Sequence, residues 1–308
     1  MIISASRRTD IPACYAPWLA NRFREGYVLV RNPYNTRMIC RVPLTPDVTD
    51  GVVLWTKHFS PMLPYLPALG EIPYYVQYTV TPYGTDIEPY LPKDKIGSFL
   101  HTAASIGRER LVWRYDPIIL TDTHTISWHT ARFAHMAENM APACRKCVIS
   151  FADMYRSTAR NMAPWQMKTI TQQDMRVIAK EFSVIAAAYH LPLTTCCEAI
   201  DLSEFGIAHN ACIDRDILEE LCGCTLSLPR AGGQREGCRC MQSTDIGLYG
   251  TCVNGCRYCY ANDSIDAARA MAAQHNPQAP LLVGSVRPED IIRPMKAESY
   301  RSMQLSMF

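Results

Sequence analysis

The segment Thr251-Cys252-Val253-Asn254-Gly255-Cys256-Arg257-Tyr258-Cys259-Tyr260 places three thiols in C-x3-C-x2-C spacing. Three thiolates at that spacing can ligate three irons of a [4Fe–4S] cluster from one tight loop, leaving the fourth iron without a local protein ligand. An iron left open in this way is a reactive iron. Zinc held by four thiolates is the competing chemistry, but it commonly uses C-x2-C pairs, and only Cys256 and Cys259 have that form here. The chain has 14 cysteines, ten of them between Cys196 and Cys259. In a reducing compartment so dense a group points to metal rather than to disulfides. Cys238 and Cys240 form a C-x-C pair, Cys212 lies in ACID and Cys196 in TCCE, so four further thiols are available for a second cluster or a structural metal. Cys197, Cys222 and Cys224 could substitute within that set. Cys144 and Cys147 have redox-like C-x2-C spacing without any other thioredoxin cue and read as inert. Cys14 and Cys40 read as ordinary small, partly buried residues.

These thiols need a scaffold, and the first two thirds of the chain supply its pattern. Runs rich in β-branched and aromatic residues predict strands at Ile2–Ser6, Tyr27–Arg31, Val52–Thr56, Tyr74–Thr81, Leu111–Tyr115, Cys147–Phe151 and Leu193–Cys196. Between them, helical patterns fall near 13–25, 60–69, 93–106, 125–140 and 170–190. A repeated strand-then-helix order favours a parallel sheet, and seven such strands suit an α/β fold of TIM-like or partial (β/α) barrel type, with an open doubly wound sheet as the alternative. The C-terminal cysteine-rich region then forms an iron–sulfur appendage. The expected division is 1–200 for the barrel-like part, 201–262 for the cluster-binding region, and 263–308 for a short helix followed by an extended, proline-punctuated tail.

Polar residues gather where the strands end, and in parallel α/β folds the carboxyl ends of strands carry the site. Arg8, Asp10, Arg114, Asp116 and Glu198 are therefore the catalytic candidates, the Arg and Asp side chains for substrate and Glu198 or Asp116 for proton handling. Lys57 joins them as a cofactor-binding candidate. Each has a plainer reading as well: Arg114 with Asp116 as an ion pair, Asp10 as a helix cap. Charge adds little direction, since 31 Lys+Arg against 29 Asp+Glu leave +2. A strongly basic DNA-coating protein is excluded, while Arg230, Arg235, Arg239 and Arg257 around the cysteines leave phosphate contacts open. No apolar run approaches the roughly 18 residues of a membrane span, and no signal-peptide core follows Met1, so the protein is expected in the cytoplasm without a membrane partner. Neither GxxxxGK[ST] nor GxGxxG occurs.

The cysteine loop resembles the radical S-adenosylmethionine signature, including the aromatic residue before its third cysteine, Tyr258. That resemblance implies S-adenosylmethionine chelating the open iron, Tyr258 near its adenine, a reductant such as flavodoxin or ferredoxin, and hydrogen abstraction from substrate by a 5′-deoxyadenosyl radical. SASRRTDIPA, YVLVRNP, VVLWTK, YTVTPYG, VWRYDPIILT, CCEAIDL with ACID, and DIGLYGTCVNGCRYCYAN together resemble the bacterial family catalogued as domain of unknown function 1848. The family name carries no activity. The resemblance implies a radical S-adenosylmethionine-like protein whose cluster loop follows the barrel instead of the first strand, with Cys196, Cys212, Cys238 and Cys240 as the second-site set. Finally, Gln304-Leu305-Ser306-Met307-Phe308 resembles the QLSLF-type peptide that docks bacterial repair and replication proteins on the DNA sliding clamp. It implies a nucleic-acid substrate, damaged or modified DNA. The alternative to an enzyme is an iron–sulfur or zinc protein that docks on nucleic acid or a replication or repair partner.

Overall fold

The structure is a computed structural model that describes residues 1–233 and 237–302. In chain order its strands and α-helices are β1 (Ile2–Ala5), α1 (Ile11–Cys14), α2 (Ala16–Glu25), β2 (Tyr27–Arg31), β3 (Met38–Pro43), β4 (Gly51–Thr56), β5 (Tyr74–Thr79), α3 (Lys95–Ile106), β6 (Leu111–Ile118), α4 (Ile126–Met140), β7 (Cys147–Phe151), α5 (Arg156–Asn161), α6 (Gln172–Ala188), β8 (Leu193–Thr195), β9 (Ala208–His209), α7 (Arg215–Cys222), β10 (Thr244–Asp245), α8 (Ile265–Ala272) and β11 (Ile291–Pro294).

Eight strands form one parallel sheet in the order β10-β1-β4-β5-β6-β7-β8-β9, with β10 and β9 at its edges. This is the parallel α/β architecture that the alternating pattern predicts. Three expectations need adjustment. Tyr27–Arg31 does become a strand, but β2 pairs antiparallel with β3 in a separate sheet completed by β11. The expected helix at 13–25 is two helices, α1 and α2, because Tyr15 leaves the helical conformation between them. The segment Ser60–Leu69 is a 3-10 helix, as Pro64 and Pro67 remove donors that an α-helix would need.

The two faces of the main sheet have different coverings. Ile3, Val52, Leu54, Val76, Tyr78, Trp113, Tyr115, Cys147 and Ile149 pack with residues of α2, α3, α4 and α6 in the larger core. The alternate residues Ile2, Val53, Tyr75, Val112 and Val148 meet a different partner, Ile217 and Leu218 of α7 together with Cys212, Leu226, Leu228 and Cys240. Period-2 alternation thus sends every second strand residue toward the cysteine-rich segment. The strands still read as continuous apolar runs because both faces are buried.

The C-terminal arm returns to the sheet rather than trailing away. Buried Asp50 accepts from Ser299 Oγ (2.6 Å) and the Tyr300 amide (2.8 Å), and lies 3.5 Å from Arg301 Nε. Asp50→Ala is expected to cost about 2 kcal/mol by stranding those donors, and to speed amide exchange over 295–302. Urea unfolding with hydrogen exchange checks this, and unchanged exchange would contradict the anchoring role. Among the described residues no helix is long and apolar enough to cross a membrane.

Candidate functional site

The cysteine loop is fastened across the carboxyl ends of several strands. β10 runs parallel to β1, so the chain leaves it at that end. Asp245, at the end of β10, accepts from Ser4 Oγ (3.0 Å), Ser6 Oγ (2.5 Å) and the Arg7 amide (2.9 Å). Arg8 reaches the Gly247 carbonyl and lies over the Tyr249 ring, 5.4 Å from its centroid. Asp10 does more than cap a helix. One of its oxygens accepts from Ala13 N at the start of α1, while the other accepts from Lys57 N (2.8 Å) after β4 and Asn254 Nδ2 (2.7 Å) inside the cysteine loop. Burial raises its pKa against these hydrogen bonds. With both oxygens occupied, Asp10 is a positioning residue.

Tyr258 is buried and donates to Glu88, which also receives Lys57 Nζ (2.9 Å), Thr81 Oγ1 (2.7 Å) and Lys95 Nζ. Burial alone would raise the Glu88 carboxyl, but the Lys57 and Lys95 ammonium groups overcome it and hold the pKa at about 2. Lys57 is opposed by burial and stays raised through the charges of Glu88, Cys256 and Asp116. Its ammonium lies 5.2 Å from the Tyr258 ring centroid. Burial pushes the Cys256 thiol well up, partly countered by Lys57, and pushes Cys259 up to about 11. The three loop thiols are electrostatic neighbours of one another, and Lys57 is the cation within reach of Cys256.

A second thiol group lies on the face of the sheet that α7 covers. Cys196 and Cys212 Sγ are 3.2 Å apart, and Cys240 Sγ accepts from the Cys212 amide at 3.2 Å. Arg114, itself buried, donates to Cys212 Sγ (3.0 Å), Gln77 Oε1 (3.3 Å) and Asp116. Burial opposes the Arg114 charge, yet Cys212, Cys196 and Asp116 hold its pKa well above the ordinary value. Asp116 is lowered in spite of burial, by Arg114, by Ser150 and by Lys57. It therefore links the two thiol groups electrostatically. Cys238 is half-buried and within electrostatic reach of Cys240. Glu198 accepts from the Phe151 amide at 2.9 Å, which ties the end of β7 to the chain after β8.

Apart from Glu198, the predicted residues thus fall into two groups: Arg8, Asp10, Lys57, Tyr258, Cys252, Cys256 and Cys259 at the strand ends, and Arg114, Asp116, Cys196, Cys212, Cys238 and Cys240 toward the face that α7 covers. Cys222 and Cys224 pair with each other, Sγ to Sγ 2.6 Å. Cys144 and Cys147 are buried with raised pKa values, Cys144 to about 12. Arg230 and Arg239 are exposed, and Arg235 and Gln304–Phe308 lie outside the described residues. Glu88, Lys95, Asp245 and Asn254 belong to the site although sequence reasoning missed them. Glu88 sits in a loop, and its partners Lys57, Thr81 and Lys95 stand 31, 7 and 7 residues away, so no local motif marks it.

Among the described residues no three His, Cys, Asp or Glu side chains already converge as ligands of one metal ion. The donor chemistry nevertheless fits a sulfur-bound metal: the loop presents three thiols and no carboxylate or imidazole, and a lysine stands by to offset thiolate charge. Fold and site define a parallel α/β protein with a cysteine loop fastened across its strand ends. The chain belongs to the family described as Domain of unknown function (DUF1848), whose model matches residues 2–261. The match takes in both thiol groups and stops before α8 and the C-terminal arm. No curated protein matches the chain.

Proposed function

We propose that this protein is a radical S-adenosylmethionine-type enzyme in which Cys252, Cys256 and Cys259 hold a [4Fe–4S] cluster. The observation that carries the reading is the C-x3-C-x2-C loop fastened over the carboxyl ends of β1 and β4, with Tyr258 locked beside it by Glu88. When bound, such a cluster supplies the electron that cleaves S-adenosylmethionine to a 5′-deoxyadenosyl radical. The chain's own residues do the rest. Asp10 and Asn254 fix the loop, Lys57 balances thiolate charge, and Tyr258 offers a ring held in one orientation for an adenine. Within this reading the sheet is a partial (β/α) barrel, Arg114 and Asp116 line its interior, and Cys196, Cys212, Cys238 and Cys240 hold a second cluster or zinc. A flavodoxin or ferredoxin acts as reductant.

A DNA or nucleotide substrate is part of the same proposal. A surface hollow lined by Tyr155, Arg156, Ser157, Arg160, Tyr260 and Asp263 adjoins the third cysteine of the loop. Tyr155 and Tyr260 are exposed and their rings lie 5.7 Å apart. Exposed aromatic rings beside arginines suit stacked bases and phosphates.

A second reading has an observation of its own. Cys212 is buried in an apolar cluster with Cys240, and its sulfur receives Arg114 and Asn210, an arrangement suited to a metal that only staples the fold. Anaerobically purified protein separates the two readings. We expect about four irons per chain, or about eight with a second cluster, and an electron paramagnetic resonance signal that S-adenosylmethionine perturbs. Zinc alone, or a cluster indifferent to S-adenosylmethionine, would favour the non-catalytic docking protein.

A further inference from the structure

We propose that Cys14 is a fourth thiol of the loop centre, the resting ligand of the iron that Cys252, Cys256 and Cys259 leave open. The inference rests on the cluster reading above. It comes from the way α1 is pinned to the loop. Asp10, which caps α1, holds Asn254 Nδ2 at 2.7 Å, and Tyr15, directly after Cys14, donates its buried hydroxyl to the Thr251 carbonyl at 2.6 Å. One bond lies on each side of Cys14 and reaches a residue on each side of Cys252. Cys14 Sγ itself donates to Asn254 Oδ1 at 3.7 Å, which sets the thiol against the Thr251–Asn254 stretch that carries Cys252. An ordinary half-buried cysteine filling space would need neither bond. Two independent hydrogen bonds set this thiol beside the loop that carries Cys252, Cys256 and Cys259.

Ligation would replace the Cys14 S–H bond by a bond from sulfur to iron, with the proton passing to water, so no oxidant or reductant is consumed. A substrate-side ligand such as the amino and carboxylate groups of S-adenosylmethionine would then displace Cys14, which recovers its proton. The fourth thiol would protect the iron while no such ligand is present. Cys14 comes from the first turn after β1, far from the loop in sequence, and so is invisible to any motif built on local spacing.

The test uses full-length protein purified anaerobically, as wild type, Cys14→Ala, and Cys40→Ala as a control on a half-buried cysteine in β3. Iron and sulfide are counted first, and thermal unfolding checks that each variant is folded. Each sample then receives a mild oxidant, and conversion of four-iron to three-iron cluster is followed by electron paramagnetic resonance. We expect Cys14→Ala to convert at least about tenfold faster than wild type, in line with the loss of a metal-site partner, and Cys40→Ala to match wild type. Equal conversion rates in the two variants, with the cluster present, would overturn the role of Cys14 alone. Wild-type protein without iron would overturn the cluster reading and this proposal with it.

Discussion

Cys256→Ala is expected to bring 5′-deoxyadenosine formation down to background, a loss of more than the roughly 100-fold that removing an outer partner of a metal ligand costs. Cys256 is the central thiol of the loop and the one nearest Lys57 in charge terms. Its backbone has little freedom to compensate. Gly255 adopts φ +71°, a conformation that side-chain-bearing residues rarely take, and a side chain there would meet the Tyr90 ring at 2.6 Å, so the turn before Cys256 requires glycine. The neighbouring thiols are engaged elsewhere: Cys14 Sγ donates to Asn254 Oδ1, and Cys212 Sγ receives Arg114. The measurement is chromatographic detection of 5′-deoxyadenosine after reduction, with Cys144→Ala as a buried-cysteine control. Normal turnover by Cys256→Ala would end the radical-enzyme reading.

Glu88→Gln should produce the largest loss of stability. Glu88 is fully buried and is the common partner of Lys57 and Lys95, so an amide in its place takes away the carboxylate that both ammonium groups contact. Breaking one side of a buried pair costs about 3–5 kcal/mol. Because the variant retains hydrogen-bonding capacity toward Thr81 and Tyr258, the loss reports charge more than shape. The pH dependence follows from the same carboxylate. Its folded pKa, about 2, lies below the ordinary 4.5, so its contribution is present above about pH 4.5 and is lost as the pH falls toward 2. The shift corresponds to a contribution on the order of 3 kcal/mol. Urea unfolding at neutral and acid pH checks it: the gap between wild type and Glu88→Gln should narrow as the pH falls below 4.5. A constant gap would mean that Lys57 and Lys95 do not depend on this charge.

Lys57 and Glu88 show how far the residues alone could be read. Lys57 is visible because it ends the apolar run Val52–Thr56, and parallel strands present their carboxyl ends to a site. Glu88 has no such marker, and it acquires a role only when β4, β5 and α3 bring Lys57, Thr81 and Lys95 around it. Asp10 was legible as a cap, but its hold on Asn254 was not, because that contact closes a loop spanning most of the chain. The same limit applies to β2. Its composition predicts a strand correctly, yet whether it joins the parallel sheet depends on β3 and β11 as partners. β9 and β10, two residues each, are too short to generate any period.

Local chemistry was therefore determined by the sequence itself. The C-x3-C-x2-C spacing, the aromatic before its third cysteine, the strand-and-helix alternation and the polar strand ends all follow from neighbours a few residues apart. Tertiary structure alone decided which residues meet: that Asp116 lies within electrostatic reach of both Lys57 and Arg114, that α7 and the cysteine-rich segment fill one face of the sheet, and that Cys14 reaches Asn254 in the cysteine loop. The physical reason is that hydrogen bonds and charge pairs act over a few ångströms of space whatever the separation along the chain, whereas a motif records only the separations that the backbone keeps short.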